Sequence, residues 1–316
     1  MTSYVDVQRL TKNFGDNRAV DGISLVVSKG EILGFLGPNG AGKTTAMRMI
    51  TGYITPSSGS VSICGHDIVT ETLEAKKCLG YLPEGAPLYP DLSPRLFLDF
   101  MGRSRGMSKS EIKQRIDYIM DTLHLEPVFN QAIDTLSKGF KRRVGLAQAI
   151  LHDPNVLILD EPTDGLDPIQ KYEVHTLIKA MAKDKAIIIS SHILEEVEAV
   201  CNRAVIIAKG SVQADGTPET LLTRHKHHNA VSLTLTGGDA ESARESLVKL
   251  NGVSDVLLKQ DGDNASLLVI PQDAQDIVHA VSHLIHDKRW RLISLSVERG
   301  KLDEVFRSIV MGDLQH

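Results

Sequence analysis

Residues Glu31–Ile50 read EILGFLGPNGAGKTTAMRMI, and the reading of this stretch decides the fold. Glu31–Leu36 is an apolar, strand-forming run, Gly37-Pro38-Asn39-Gly40-Ala41-Gly42-Lys43-Thr44 spells GxxxxGKT, and Thr45–Ile50 continues with helical character. A strand, a glycine-rich loop and a helix in that order form the setting in which this pattern cradles phosphate. The glycines let backbone N–H groups curl around an anion that any Cβ would obstruct. The helix start adds orphan donors and a favourable dipole. Lys43 is suited to neutralise β- and γ-phosphates, and Thr44 to offer a hydroxyl to Mg²⁺. The chain is therefore expected to bind a nucleotide through Gly37–Thr45.

Two further strands end in polar groups of the right kind. Val156-Leu157-Ile158-Leu159 runs into Asp160 and Glu161, and Ile187-Ile188-Ile189 runs into Ser190-Ser191-His192. Open α/β sheets bind ligands at the carboxyl ends of their strands. Asp160 is expected to hold Mg²⁺ through water, Glu161 to orient the attacking water or take its proton, and His192 to sense the γ-phosphate. Taken alone, two acids after a strand are ordinary turn residues and a histidine at a strand end is commonly a surface one; the neighbouring phosphate loop changes both readings. Leu136-Ser137-Lys138-Gly139-Phe140 precedes the helical KRRVGLAQAILHD. Ser137 reads as an N-cap, and also as a second helix start able to bind phosphate.

Working outward, residues from Tyr4 to about Val69 alternate apolar with polar between turn-prone Asn, Asp and Gly, which predicts a small antiparallel β unit. Between Ser93 and His124, Leu96, Phe97, Phe100, Ile112, Ile116, Ile119, Met120 and Leu123 recur at helical spacing, so a helical subdomain is expected at about 90–152. The runs VLIL, AIII and AVIIA between Asn155 and Ala208 lack alternation, as strands covered on both faces do.

The 316 residues exceed what one core usually organises, which predicts roughly two domains. A segment rich in basic residues and histidine, Thr223–Ala230 (TRHKHHNA), contains no large apolar residue and reads as a linker, 223–230, between a domain 1–222 and a smaller one, 231–316. Its histidines resemble a metal tract only loosely. Beyond it, strands Val231–Thr236, Val253–Lys259, Ala265–Ile270 and Arg291–Val297 alternate with helices Asp239–Leu250, Gln272–Asp287 and Leu302–Met311. The order βαββαβ predicts a small α+β, ferredoxin-like domain with an added C-terminal helix. The same order describes an RNA-recognition module, but the first and third strands lack aromatics, and residues 231–316 carry 13 acids against 9 Lys and Arg.

With a net charge of -5, nucleic acid is not expected as a partner. The apolar runs are strand-sized, shorter than the roughly 20 residues of a membrane span. Asp6 and Arg9 interrupt what a secretory signal would keep apolar, so a cytosolic protein is expected. Cys64, Cys78 and Cys201, odd in number, far apart and without CxxC spacing, predict buried, reduced thiols rather than a disulfide or zinc site.

In their order these motifs resemble the nucleotide-binding subunit of an ABC transporter, over about residues 3–220. The resemblance rests on Phe14 at the adenine-stacking position, GPNGAGKT at 37–44, Glu84 at the Q-loop position, LSKGF at the signature position, VLILDEPT at 156–163, Gly165-Leu166-Asp167 as the D-loop and His192 as the switch histidine. It implies a P-loop cassette with a parallel core sheet, an antiparallel β subdomain and a helical subdomain. It further implies two cassettes sandwiching two ATP molecules, each between the phosphate loop of one chain and Ser137 and Gly139 of the other, with Asp167 of the D-loop also among the nucleotide-binding residues. Membrane-spanning permease subunits would be separate partners, placing the chain peripherally on the cytoplasmic face of the cell membrane. Glu84 stands where the family has Gln, which makes it a candidate for metal binding or for coupling. Lys138 and Phe140 replace Gly and Gln in the signature. These departures, with the long C-terminal extension, are similar to exporter-type ATPases of the drug-resistance and gliding-motility branches. A soluble ABC-type ATPase acting on a macromolecular complex is the alternative, although such chains usually hold two cassettes or a long coiled coil.

Overall fold

The loop Gly37–Thr44 is walled by two sheets, which the chain builds in alternation. The computed structural model describes residues 3–85, 87–223, 228–237, 240–261, 264–298 and 302–311. Long alternating segments make β1 (Ser3–Phe14) and β2 (Asn17–Ser28), after which β3 (Ile32–Leu36) leads into α1 (Lys43–Ile50). The chain then forms β4 (Ser58–Ile63), β5 (His66–Asp67), α2 (Thr72–Lys77) and β6 (Leu79–Leu82). Three helices follow, α3 (Pro94–Ser104), α4 (Lys109–Leu123) and α5 (Lys138–Ile150). The order closes with β7 (Val156–Asp160), α6 (Pro168–Ala182), β8 (Ala186–Ser191), α7 (Leu194–Val200), β9 (Arg203–Ala208) and β10 (Ser211–Gly216).

The sheet β2-β1-β4-β5 is antiparallel, as the alternating sequence predicts. A second, six-stranded sheet runs β10-β9-β3-β8-β7-β6, parallel throughout except for β10. Every residue of β3, β7 and β8 is buried, which is why their sequences show no period. Met47, Met49 and Ile50 of α1 join Leu33, Phe35, Ile158 and Ile188 in one core that also holds Val5, Val7 and Val61 of the antiparallel sheet. Each such side chain contributes about 1.5–3 kcal/mol on burial.

The helix starts are local. Ser93 caps α3 ahead of Pro94, and Ser108 and Glu111 form a reciprocal capping box on α4. On α3, Phe97 and Leu98 face inward while Leu96 and Phe100 are exposed.

By internal packing the chain divides into Met1–Thr217 and Pro218–His316. In the second unit, α8 (Pro218–Leu222) precedes β11 (Ala230–Thr236), α9 (Ala240–Val248), β12 (Val253–Asp261), β13 (Asn264–Pro271), α10 (Val278–Asp287), β14 (Arg291–Glu298) and α11 (Leu302–Met311). The sheet order is β12-β13-β11-β14, every pair antiparallel. Val231, Leu233 and Leu235 of β11 face Val281 and Ile285 of α10 and Leu247 of α9 in a separate core.

Some expectations are corrected. The helix α8 groups with the second unit rather than with the first. Gln272–Asp287 is not one helix: a short 3₁₀ turn at Gln272–Ala274 has Asp273 at a left-handed φ of 51° in its middle, and α10 starts only at Val278. Cys64 and Cys78 are half-buried neighbours whose side chains interact, brought together by the β4–β5 turn and the end of α2; only Cys201 is buried, and all three are free thiols. Most of the linker, residues 224–227 with His225 and His227, lies outside the described residues.

Candidate active site

Because β3, β8, β7 and β6 are adjacent and parallel, the loops that follow them leave one edge of the sheet together. Pairing of Leu36 with Ser191, Asp160 with Ser190 and Leu82 with Leu159 sets the phosphate loop, His192, Glu161 and Glu84 side by side. Residues far apart in the sequence thus meet through sheet order alone.

The loop itself is built by close approach. At Gly42, which caps α1 with φ 100°, a Cβ would stand 2.4 Å from the Ala19 carbonyl oxygen; at Gly37 it would stand 2.5 Å from that of Ile207. No other residue fits either place. Lys43 is buried and its Nζ donates to the carbonyls of Gly37 (2.5 Å) and Pro38 (3.3 Å), which holds the ammonium at the turn. Burial lowers its pKa, opposed by the fields of Glu161, Asp160 and Glu84. The fields of three predicted carboxylates thus reach one predicted cation.

Asp160 is 2% exposed and accepts a hydrogen bond from Ser190 Oγ on Oδ1. Its Oδ2 is buried and has no hydrogen-bond partner among the described residues. A buried acceptor left unsatisfied is costly, and a divalent cation at a carboxylate oxygen would relieve it, so Asp160 fits Mg²⁺. Thr44, half-buried at the start of α1, and the exposed Glu84 are the other candidate ligands.

Glu161 follows at φ 50°, a left-handed conformation rare for a residue with a side chain, and its N–H donates to the Ser190 carbonyl. Oε1 lies 2.8 Å from His192 Nδ1. Burial raises the Glu161 pKa above the usual carboxylate value, while the hydrogen bond from His192 and the charge of Lys43 lower it. A carboxylate held by a histidine beside the loop is chemically able to accept a proton from water.

The remaining candidates stand apart from this cluster within one chain. Phe14 is half exposed at the end of β1, with Lys12 Nζ 5.3 Å from its ring centre. Ser137 caps α5 by accepting from Phe140 N, and Asp167 caps α6 by accepting from Gln170 N at 2.9 Å. At Gly139 a Cβ would meet Gln170 Oε1 at 2.7 Å. Among the described residues no hydrogen bond or ion pair joins Phe14, Ser137, Gly139 or Asp167 to Gly37–Thr45. Lys138, the signature departure, pairs instead with Asp164 at 2.9 Å.

Sequence reading named Ser190 only as part of a strand end and gave no role to Arg142; Ser190 holds Asp160, and the Arg142 guanidinium donates to the carbonyls of Pro83 and of Asp160, Glu161 and Pro162. A signal existed for the arginine: Gly139, Arg142, Leu146 and Ala149 recur at helical spacing on the buried side of α5.

The family described as ABC transporter matches residues 20–164. The linearmycin resistance ATP-binding protein of Bacillus subtilis is 33% identical over 310 residues, covering 96% of this chain and 97% of that protein. The chain belongs to the ATP-binding subunits of ABC transporters. The Nod factor export ATP-binding protein I of Paraburkholderia xenovorans is 34% identical over 247 residues, 78% of this chain and 81% of that protein. Among solved structures, the ATP-binding subunit of an ABC transporter superposes with a TM-score of 0.65 at 29% identity, covering 69% of this chain and 91% of that one. A dimeric ATP-binding cassette in a post-hydrolysis state with ADP and Pi has a TM-score of 0.63 at 22% identity over 67% of this chain and 98% of its own, a likeness of fold. The first unit is accordingly a P-loop ABC cassette of an ATPase family. Among the described residues no helix is long and apolar enough to cross a membrane.

Proposed function

We propose that this chain hydrolyses ATP as one of two identical cassettes and thereby powers export through separate membrane-spanning subunits, from the cytoplasmic face of the membrane. The observation that carries the chemistry is the contact of Glu161 with His192 beside Lys43 and the unsatisfied Asp160. The direction rests on the relatives, one named for Nod factor export and another for linearmycin resistance.

In this reading the γ-phosphate lies against Lys43 and the N–H groups of Gly37–Thr45, with adenine on Phe14. Mg²⁺, held by Asp160 and Thr44, would neutralise charge on the β- and γ-phosphates. His192 engages Glu161 Oε1, which leaves Oε2 to accept a proton from the attacking water. The water oxygen bonds to the γ-phosphorus, the bond to the β,γ-bridging oxygen breaks, and ADP and phosphate leave. Ser137 and Gly139, unengaged with the phosphate loop of their own chain, serve the nucleotide of the second copy, with Asp167 at the contact between chains.

Residues 218–316 are read as an accessory domain of ferredoxin-like type, since β14-β11-β13-β12 reproduces the 4-1-3-2 antiparallel order of a βαββαβ sandwich. It serves dimer contact or regulation.

The test is Glu161→Gln. It keeps the hydrogen bond to His192 but cannot take a proton, so ATP should bind, turnover should stop, and a two-chain species should accumulate on gel filtration. Hydrolysis at the normal rate would remove Glu161 from this role.

A further inference from the structure

Arg142 lies on α5, the helix that Ser137 caps, and is only 7% exposed. It makes no ion pair among the described residues. Its N–H groups go instead to main-chain carbonyls: Nη1 to Pro83 at 3.0 Å, Nε to Pro162 at 3.3 Å, and Nη2 to both Asp160 and Glu161. Burying a cation without a direct ion pair is expensive; burial lowers its pKa, opposed by the fields of Asp160, Asp164, Glu161 and Glu84. Filling space does not call for such a group; Leu or Met would do that at less cost.

The identity of the acceptors is informative. Asp160, Glu161 and Pro162 are consecutive, and the middle one is the residue with φ 50°. A non-glycine residue in that region persists only where its surroundings over-determine it. A planar fork of five donors can hold three successive carbonyls in one arrangement, which the point charge of lysine cannot. The fourth acceptor, Pro83, begins the loop that carries Glu84.

We propose that Arg142 is a positioning residue for hydrolysis: by binding the carbonyls on both sides of the left-handed Glu161 peptide, it fixes the direction in which the Glu161 carboxylate points, and ties that direction to the helix bearing the signature. This rests on Glu161 being the proton acceptor.

The test uses the full chain carrying Arg142→Gln or Arg142→Lys, with ATP affinity titrated by a fluorescent ATP analogue and hydrolysis followed in single turnover. ATP affinity should stay within about twofold of the parent, because no phosphate-binding group is altered. Hydrolysis should fall at least about tenfold in the Gln variant and less in the Lys variant, since a displaced catalytic group loses rate and not substrate binding. Hydrolysis within about twofold of the parent in both folded variants would overturn the proposal. So would ATP affinity falling in step with rate, or loss of folded protein in both variants, either of which makes Arg142 a structural residue alone. Glu161→Gln run in parallel separates the two readings: if it still turns over, the role of Glu161 fails; if it stops while the Arg142 variants are normal, only the present inference fails.

Discussion

His192 Nδ1 stands 2.8 Å from Glu161 Oε1, so the residue that ends one buried strand steers the carboxylate that ends the next. The pair has a pH consequence. If Glu161 is the proton acceptor proposed above, hydrolysis needs it ionised; burial raises its pKa above the usual value, and the His192 hydrogen bond lowers it. Activity should therefore be lost on the acid side at a higher pH than for an ordinary glutamate. His192→Ala removes a lowering influence and should move that acid limb to still higher pH, with hydrolysis reduced by roughly 10²-fold at neutrality. Single-turnover rates across pH read both, and a limb displaced downward would contradict the assignment.

Lys43→Ala removes the amine whose burial lowers its pKa against the opposing fields of Glu161, Asp160 and Glu84. ATP affinity should weaken by roughly 10²-fold, the worth of a strong charge-assisted hydrogen bond. Calorimetric titration of the variant checks this; parental affinity would place the nucleotide elsewhere.

Lys138 and Asp164 are both well exposed, at 69% and 57% of their side-chain surface, so their 2.9 Å pair should contribute little to stability. Lys138→Gly, which restores the common glycine at that one signature position, is expected to leave the melting temperature nearly unchanged while Ser137 keeps its cap. A large loss of stability would show that the pair holds the D-loop in place.

Legibility of the fold and site followed the range of each cause. The phosphate loop, the two strand ends and the βαββαβ order are written in short local patterns, and the sheet order brings their products together. Arg142 is different: in the basic run Lys141-Arg142-Arg143 two of the three side chains are buried, which depends on how α5 packs and not on the run itself. The approach of Cys64 to Cys78 is likewise a product of a hairpin meeting a helix end. On β14, the edge strand of the second sheet, Leu292, Ile293 and Val297 have strand-forming character yet remain exposed.

Ending the chain after Thr217 should leave a folded cassette that binds ATP. The two units have separate cores, and every residue of the site precedes the cut. Circular dichroism and nucleotide titration of the truncated chain test it. An insoluble product, or one without ATP affinity, would show that the second unit completes the first.

Glu84 presents the sharpest choice, because a carboxylate stands where the family usually supplies an amide. It is exposed, yet its field reaches both Lys43 and Arg142. A metal role makes it a third oxygen donor beside Asp160 and Thr44, and then Glu84→Gln should raise the Mg²⁺ requirement of the isolated chain. A coupling role has it pair with an Arg or Lys of the membrane partner, and then the isolated ATPase should be nearly normal while stimulation and transport in the assembled complex are lost. We favour coupling: Asp160 already offers an unsatisfied buried oxygen, whereas the Glu84 side chain faces solvent, where a partner can reach it. Mg²⁺ titration and partner-stimulated ATPase on the same variant decide between them, and no change in either assay would sink both roles.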